Sequence, residues 1–225
     1  MGGRIITVGL FGIIGAAILV SLGVWQLQRL AWKETVLAEI EARIDATPVG
    51  LPAAPDREAD RYLPVTVTGQ FLEDPARVLV SVQGSGPGFR LISPFGTEGG
   101  RRVLVDRGFL HESIETVPLP EGEVTVIGNL HWPDEVDGFT PAPDIARNMW
   151  FARDVDTLAA HFDTEPVFIV AREMSVSDAP VTPLPVTSEG IPNNHLGYAV
   201  QWFGLAIVWL GMTAFLAWRI TRRTA

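Results

Sequence analysis

The side chains best suited to chemistry in this 225-residue chain gather around one histidine, His195, which follows Asn193 and Asn194 and precedes an apolar run. On a helix starting near Asn194, His195, Tyr198 and Trp202 fall at i, i+3 and i+7 and share a stripe. A neutral imidazole is a good axial ligand for haem iron. Polar groups at membrane depth, here Tyr198 and Gln201, are costly unless paired or functional. Two readings of His195 stay open on these residues: an iron ligand, or a helix-start side chain that caps backbone at a wet interface. A second concentration lies near the other end of the chain, at Trp25, Gln26, Arg29 and Lys33. Arg29 and Lys33 are four apart and share a helix face. They read either as side chains snorkelling to a membrane surface or as a cationic clamp for an acidic group, such as a propionate or an acidic partner.

The remaining candidates are weaker. His111, His131 and His161 are widely spaced and lack HxH or HxxxH partners, so they read as surface or strand-end residues. Asp106 and Arg107, beside Gly108, read as a salt-bridged turn rather than a catalytic acid. Gln83-Gly84-Ser85-Gly86-Pro87-Gly88 lacks the Lys-Ser or Lys-Thr of a phosphate loop, and Pro87 removes a donor. No Ser/His/Asp pattern, HExxH or paired carboxylates in a nucleophile context occurs, and the chain reads as a non-enzyme. With no cysteine there are no disulfides, thiol redox chemistry or thiolate metal sites.

Two apolar stretches must position these residues. Ile5–Leu27 is apolar except for Thr7, Ser21 and Gln26, and Leu196–Trp218 holds no charged residue over 23 positions. A helix of that length spans about 34 Å, enough for a hydrocarbon core of about 30 Å. The first stretch is longer than the apolar core of a secretory signal and ends in Trp25-Gln26-Leu27 instead of a small-residue cleavage site, so it reads as a retained anchor. Arg219, Arg222 and Arg223 follow the second stretch, whereas the nearest basic residue before it is Arg172. The positive side faces the cytoplasm, which places both termini there and residues 45–192 outside it. Between the spans lie all 26 acidic residues and 13 of the 17 basic ones. That balance argues against nucleic acid as a partner.

Leucine and isoleucine periodicity continues the first helix to about residue 44, with Trp25 and Trp32 at the lipid interface. Residues 45–60 and 178–192 are proline-rich connectors. Strands are expected at 62–71, 77–82, 89–95, 101–110, 123–130 and 166–171, and a loop at 133–143. Asp154 is the expected N-cap of a short helix that buries Val155, Leu158, Ala159 and Phe162. The fold class is a membrane α+β protein: two terminal transmembrane helices flank an antiparallel β-sheet or barrel-like domain.

Three motifs carry a family resemblance. Gly23-Val24-Trp25-Gln26-Leu27-Gln28-Arg29-Leu30-Ala31-Trp32-Lys33 ends the first span, Val105-Asp106-Arg107-Gly108-Phe109 ends a strand, and Asn193 to Phe203 opens the second span. In these the chain resembles the Surfeit locus protein family of cytochrome c oxidase assembly factors, in its bacterial form. Residues 113–165 match in general character only. The resemblance implies a multi-pass protein of the bacterial inner membrane with a periplasmic central domain. It would bind haem a at the outer leaflet and assist its insertion into oxidase subunit I, with haem a synthase as a further partner. His195 would be the axial ligand of the haem iron, with Trp25, Gln26, Arg29, Tyr198 and Trp202 around it. The rival expectation is a haem-free membrane scaffold that contacts oxidase subunits or haem-synthesis enzymes.

Overall fold

A computed structural model describes residues 2–188 and 191–222; Arg223 and the side chain of Arg4 lie outside the described residues. The chain divides into two compact units: residues 1–39 with 188–225, and residues 40–187.

The first unit is a helix pair. Helix α1 runs Gly2–Ile44 and helix α3 runs His195–Arg222, each long and apolar enough to cross a membrane. They pack antiparallel along a seam of small residues, because lipid supplies no hydrophobic drive between helices and close backbone approach has to replace it. Gly12 faces Thr213, Gly15 faces Trp209, and Gly23 faces Phe203. Ala16, Ala199 and Ala206 are buried beside them. A Cβ on Gly15 would lie 2.4 Å from Trp209 Nε1, so only glycine admits the indole there. Trp209 Nε1 in turn donates to Gly12 O at 3.0 Å, which satisfies its polar edge inside the seam.

The second unit is built on one sheet. Its strands are β1 (Val49–Gly50), β2 (Pro64–Phe71), β3 (Ala76–Val82), β4 (Gly86–Thr97), β5 (Arg102–His111), β6 (Val124–Leu130), β7 (Met149–Trp150) and β8 (Phe168–Met174). The sheet order is β1-β2-β6-β8-β5-β4-β3-β7, and β2 also pairs with β4. That extra pairing closes β2, β6, β8, β5 and β4 into a five-stranded ring, which removes the open edges of those strands. At the closure Gly69 pairs with Thr97, and a Cβ on Gly69 would lie 2.0 Å from Gly96 O. The position is glycine because two backbones meet there.

The expected antiparallel sheet is a mixed one. β5 and β8 are parallel, as are β1 with β2 and β3 with β7. Parallel partners need a long crossover, and here β6 and helix α2 (Val155–Phe162) lie between β5 and β8. β5 is buried from Val103 to Leu110, on both faces, as suits a strand inside a closed and covered sheet. In β2, Val65, Val67 and Gly69 are buried and alternate with less buried Thr66 and Thr68, as its sequence pattern predicts. Helix α2 follows its expectation residue for residue: Asp154 accepts from Asp156 N and Thr157 N, and Val155, Leu158, Ala159 and Phe162 are buried. The two-residue strands β1 and β7 are too short to show in the sequence pattern.

Candidate functional site

His195 is the first residue of α3, preceded by Asn194, whose carbonyl accepts from Tyr198 N at 3.2 Å and starts the helix. Its ring is half-buried and meets α1: His195 Nδ1 lies 2.7 Å from Gln26 Oε1. An amide oxygen only accepts, so Nδ1 carries the proton and donates. A neutral ring bonded in this way has its lone pair on Nε2, the arrangement of a metal-ligating histidine oriented by an outer partner. Gln26 is itself only 9% exposed, so packing holds the acceptor in place.

The other expected residues are placed in two groups. On α1, Gln26, Arg29 and Lys33 fall at i, i+3 and i+7 on one stripe. Lys33 Nζ donates to Pro192 O, tying α1 to the segment that leads into α3. The Arg29 guanidinium lies over the Trp32 ring, 3.9 Å from its centroid, a contact that holds the cation without neutralising it. Trp25 is exposed and Trp202 half-buried. On α3, Tyr198 joins Asn193, Asn194, Gly197 and Gln201 around an open polar groove of about 460 Å³. The structure thus brings His195 and Gln26 into contact, and neither they nor Trp25, Arg29 and Trp202 are among the residues lining that groove. The contact between Gln26 and His195 carried no local signal, since the two residues are 169 positions apart.

In the second unit the polar motif lies within β5 and resolves differently from a salt-bridged turn. Asp106 and Arg107 lie where the register of β5 with β4 shifts, Leu91 pairing with Gly108 and Ile92 with Asp106 so that Arg107 is the extra residue, and each finds its own partner. Asp106 is fully buried, accepts from Arg90 Nε at 2.7 Å and from Gly108 N at 3.1 Å, and lies 3.6 Å from Arg153 Nη1. Burial pushes its carboxyl above the ordinary range, and Arg90 and Arg153 oppose that shift. Arg107 is fully buried and pairs with Asp178 through Nε at 2.9 Å and through Nη2. Gly108, at φ +119°, meets Thr182 O where a Cβ would lie, so the strand packs directly on the connector at this residue. These are structural ion pairs, and Arg90, Arg153 and Asp178 were not legible as partners.

His131 follows β6 and is stacked on Tyr62 with ring centroids 5.5 Å apart. Burial lowers its pKa to about 4, with Arg153 and Arg61 adding to the effect. It is thus a strand-end residue, one of the two expected alternatives, with a half-buried neutral ring. His111 ends β5, and His161 lies exposed on α2. No group of three or more metal-ligating side chains of the His/Cys/Asp/Glu type occurs among the described residues.

A pair of membrane-length helices joined by an imidazole–amide hydrogen bond, with a closed β-sheet unit between them in sequence, defines a class of two-helix membrane-associated proteins. Residues 13–207 match the SURF1 family, a range that contains Gln26, the β5 motif and His195. Surfeit locus protein 1 of Homo sapiens is 33% identical over 210 residues, covering 82% of this chain and 69% of that protein. Surfeit locus protein 1 of Rattus norvegicus is 32% identical over 227 residues, covering 90% and 72%. A SURF1-like protein of Rickettsia felis is 31% identical over 205 residues, covering 87% and 90%. The chain belongs to the SURF1 family.

Proposed function

We propose that this protein is a non-enzymatic assembly factor for cytochrome c oxidase in a bacterial inner membrane, with haem a as its cargo. His195 ligates the iron through Nε2 at the outer leaflet, and the cargo passes from there to oxidase subunit I. Haem a synthase is the proposed donor-side partner. In this reading both termini are cytoplasmic and residues 45–192 are periplasmic. The observation that carries the proposal is the hydrogen bond from His195 Nδ1 to Gln26 Oε1, which presents the free lone pair of the ring on Nε2.

The surrounding residues fit such a cargo. Trp25 and Tyr198 expose ring surface on which a macrocycle can lie. Arg29 keeps its charge while stacked on Trp32 and suits a propionate. A single protein ligand held by a neutral amide makes a bond that can be given up to a receiving subunit. The test is an absorbance spectrum and pyridine haemochrome of the purified full chain beside His195→Ala, from cells that make haem a. The wild type is expected to carry haem a and the variant to lose it while keeping its thermal unfolding profile. A haem-free wild type would leave a scaffold that contacts its partners without cargo.

A further inference from the structure

The loop from Pro133 to Pro143 plays no part in the cargo site and lies in the region where the family motifs are silent. It holds no regular structure, yet it is braced. Asp137 Oδ1 accepts from Phe139 N at 2.8 Å and from Thr140 Oγ1 at 2.9 Å, and Thr140 Oγ1 accepts from Asp137 N at 3.0 Å. Nearer its base, Glu135 is gripped by the Arg153 guanidinium and by Arg153 N, the latter at 2.9 Å. The product of this bracing is a phenylalanine presented to solvent: Phe139 is 94% exposed. Val136 is also exposed, and it lines a groove of about 280 Å³ together with Pro141, Pro143, Trp150 and Phe151.

Burying a phenylalanine is favourable, yet the loop's own hydrogen bonds hold this one in solvent. Exposed large apolar groups gathered at one place mark an interaction site. The charge around it selects the occupant. Asp134 and Asp137 flank Val136, whereas the charge of Glu135 is offset by Arg153. The Asp137 carboxyl is held below the usual range by the Phe139 N–H and the Thr140 hydroxyl, so it stays ionised at neutral pH. An anionic lipid surface is repelled by such a rim, whereas a basic protein surface is attracted.

We propose that Phe139, with Val136 and the groove beside it, is the docking anchor for a protein partner whose apolar socket is ringed by Lys and Arg. This deepens the assembly reading by giving the β-rich unit a partner face, and it rests on that reading for the existence of a partner. The test places a photo-reactive benzoylphenylalanine at position 139 of the full chain in native membranes. A control carries it at Leu79, an exposed apolar residue of β3. One predominant protein adduct is expected from 139 and not from 79, attached within a Lys/Arg-rich segment. Its yield is expected to fall several-fold at high salt and in Asp134→Lys. Lipid adducts alone, no defined adduct, the same adduct from both positions, or an attachment segment without basic residues would each overturn the proposal. A chain that cross-links but carries no haem would sink the cargo and keep the docking face; a pigmented chain without a protein adduct would sink only the docking face.

Discussion

Replacing Gln26 by Leu removes the acceptor of the His195 Nδ1 proton while keeping a side chain of similar length at a position only 9% exposed. In the wild type the 2.7 Å bond holds the ring in one orientation and keeps the lone pair on Nε2. Without it the ring turns more freely and the Nε2-protonated tautomer, which cannot ligate, competes. Loss of the outer partner of a ligating histidine costs about 10–100-fold in affinity, or about 1.4–2.7 kcal/mol. The upper part exceeds the roughly 0.5–1.5 kcal/mol of an ordinary hydrogen bond because the tautomer is lost with it. The assay is titration of the haem-free protein in detergent with haem a, followed by the Soret band. Gln26→Leu is expected to weaken binding by that factor. Gln26→Glu, by accepting the same proton with a carboxylate, is expected to tighten binding and lower the midpoint potential of the bound iron. Wild-type affinity in Gln26→Leu, alongside lost ligation in His195→Ala, would refute the reasoning.

Asp178→Ala leaves the buried Arg107 guanidinium without its counter-ion, which costs about 3–5 kcal/mol. At about 2–4 °C per kcal/mol, for a domain of this size, the unfolding midpoint of the β-rich unit falls by about 6–20 °C; calorimetry of the full chain checks it, and an unchanged midpoint would be inconsistent with the pairing. Gly15→Val drives a side chain into the Trp209 ring and is expected to destabilise the helix pair by about 1–3 kcal/mol, read from tryptophan fluorescence during unfolding in detergent. His131 has its pKa lowered to about 4 from an ordinary 6.5, so the unfolded chain takes up the proton first as pH falls. Stability therefore declines from about pH 6.5 down to about pH 4 and levels off below, by at most about 3 kcal/mol for this group. Urea unfolding of the wild type and His131→Gln at pH 7.5 and 4 should differ by that amount; equal pH dependence would show that the ring is not held neutral.

Periodicity and composition determined the elements. Twenty-three uncharged residues define the second helix, and helix periodicity carries the first to Ile44. Asp154 followed by apolar residues at helical spacing marks α2 and its buried face. Alternating valine and threonine marks β2. Each of these signals is local, because the backbone period and the side that is buried are set within one or two turns or a single strand. The pairings were decided only by the tertiary structure. β8 lies parallel to β5 because a long segment intervenes and allows the crossover. The ring closes where Gly69 and Gly96 bring two backbones together. Arg107, the extra residue where the register of β5 with β4 shifts, finds its carboxylate 71 residues away rather than next door. The site motifs placed Gln26 and His195 near the ends of the two apolar stretches, but the bond between them exists because the small-residue seam lets α1 and α3 approach. A one-dimensional pattern records which face of an element is apolar; which other face it meets depends on the packing of the whole chain.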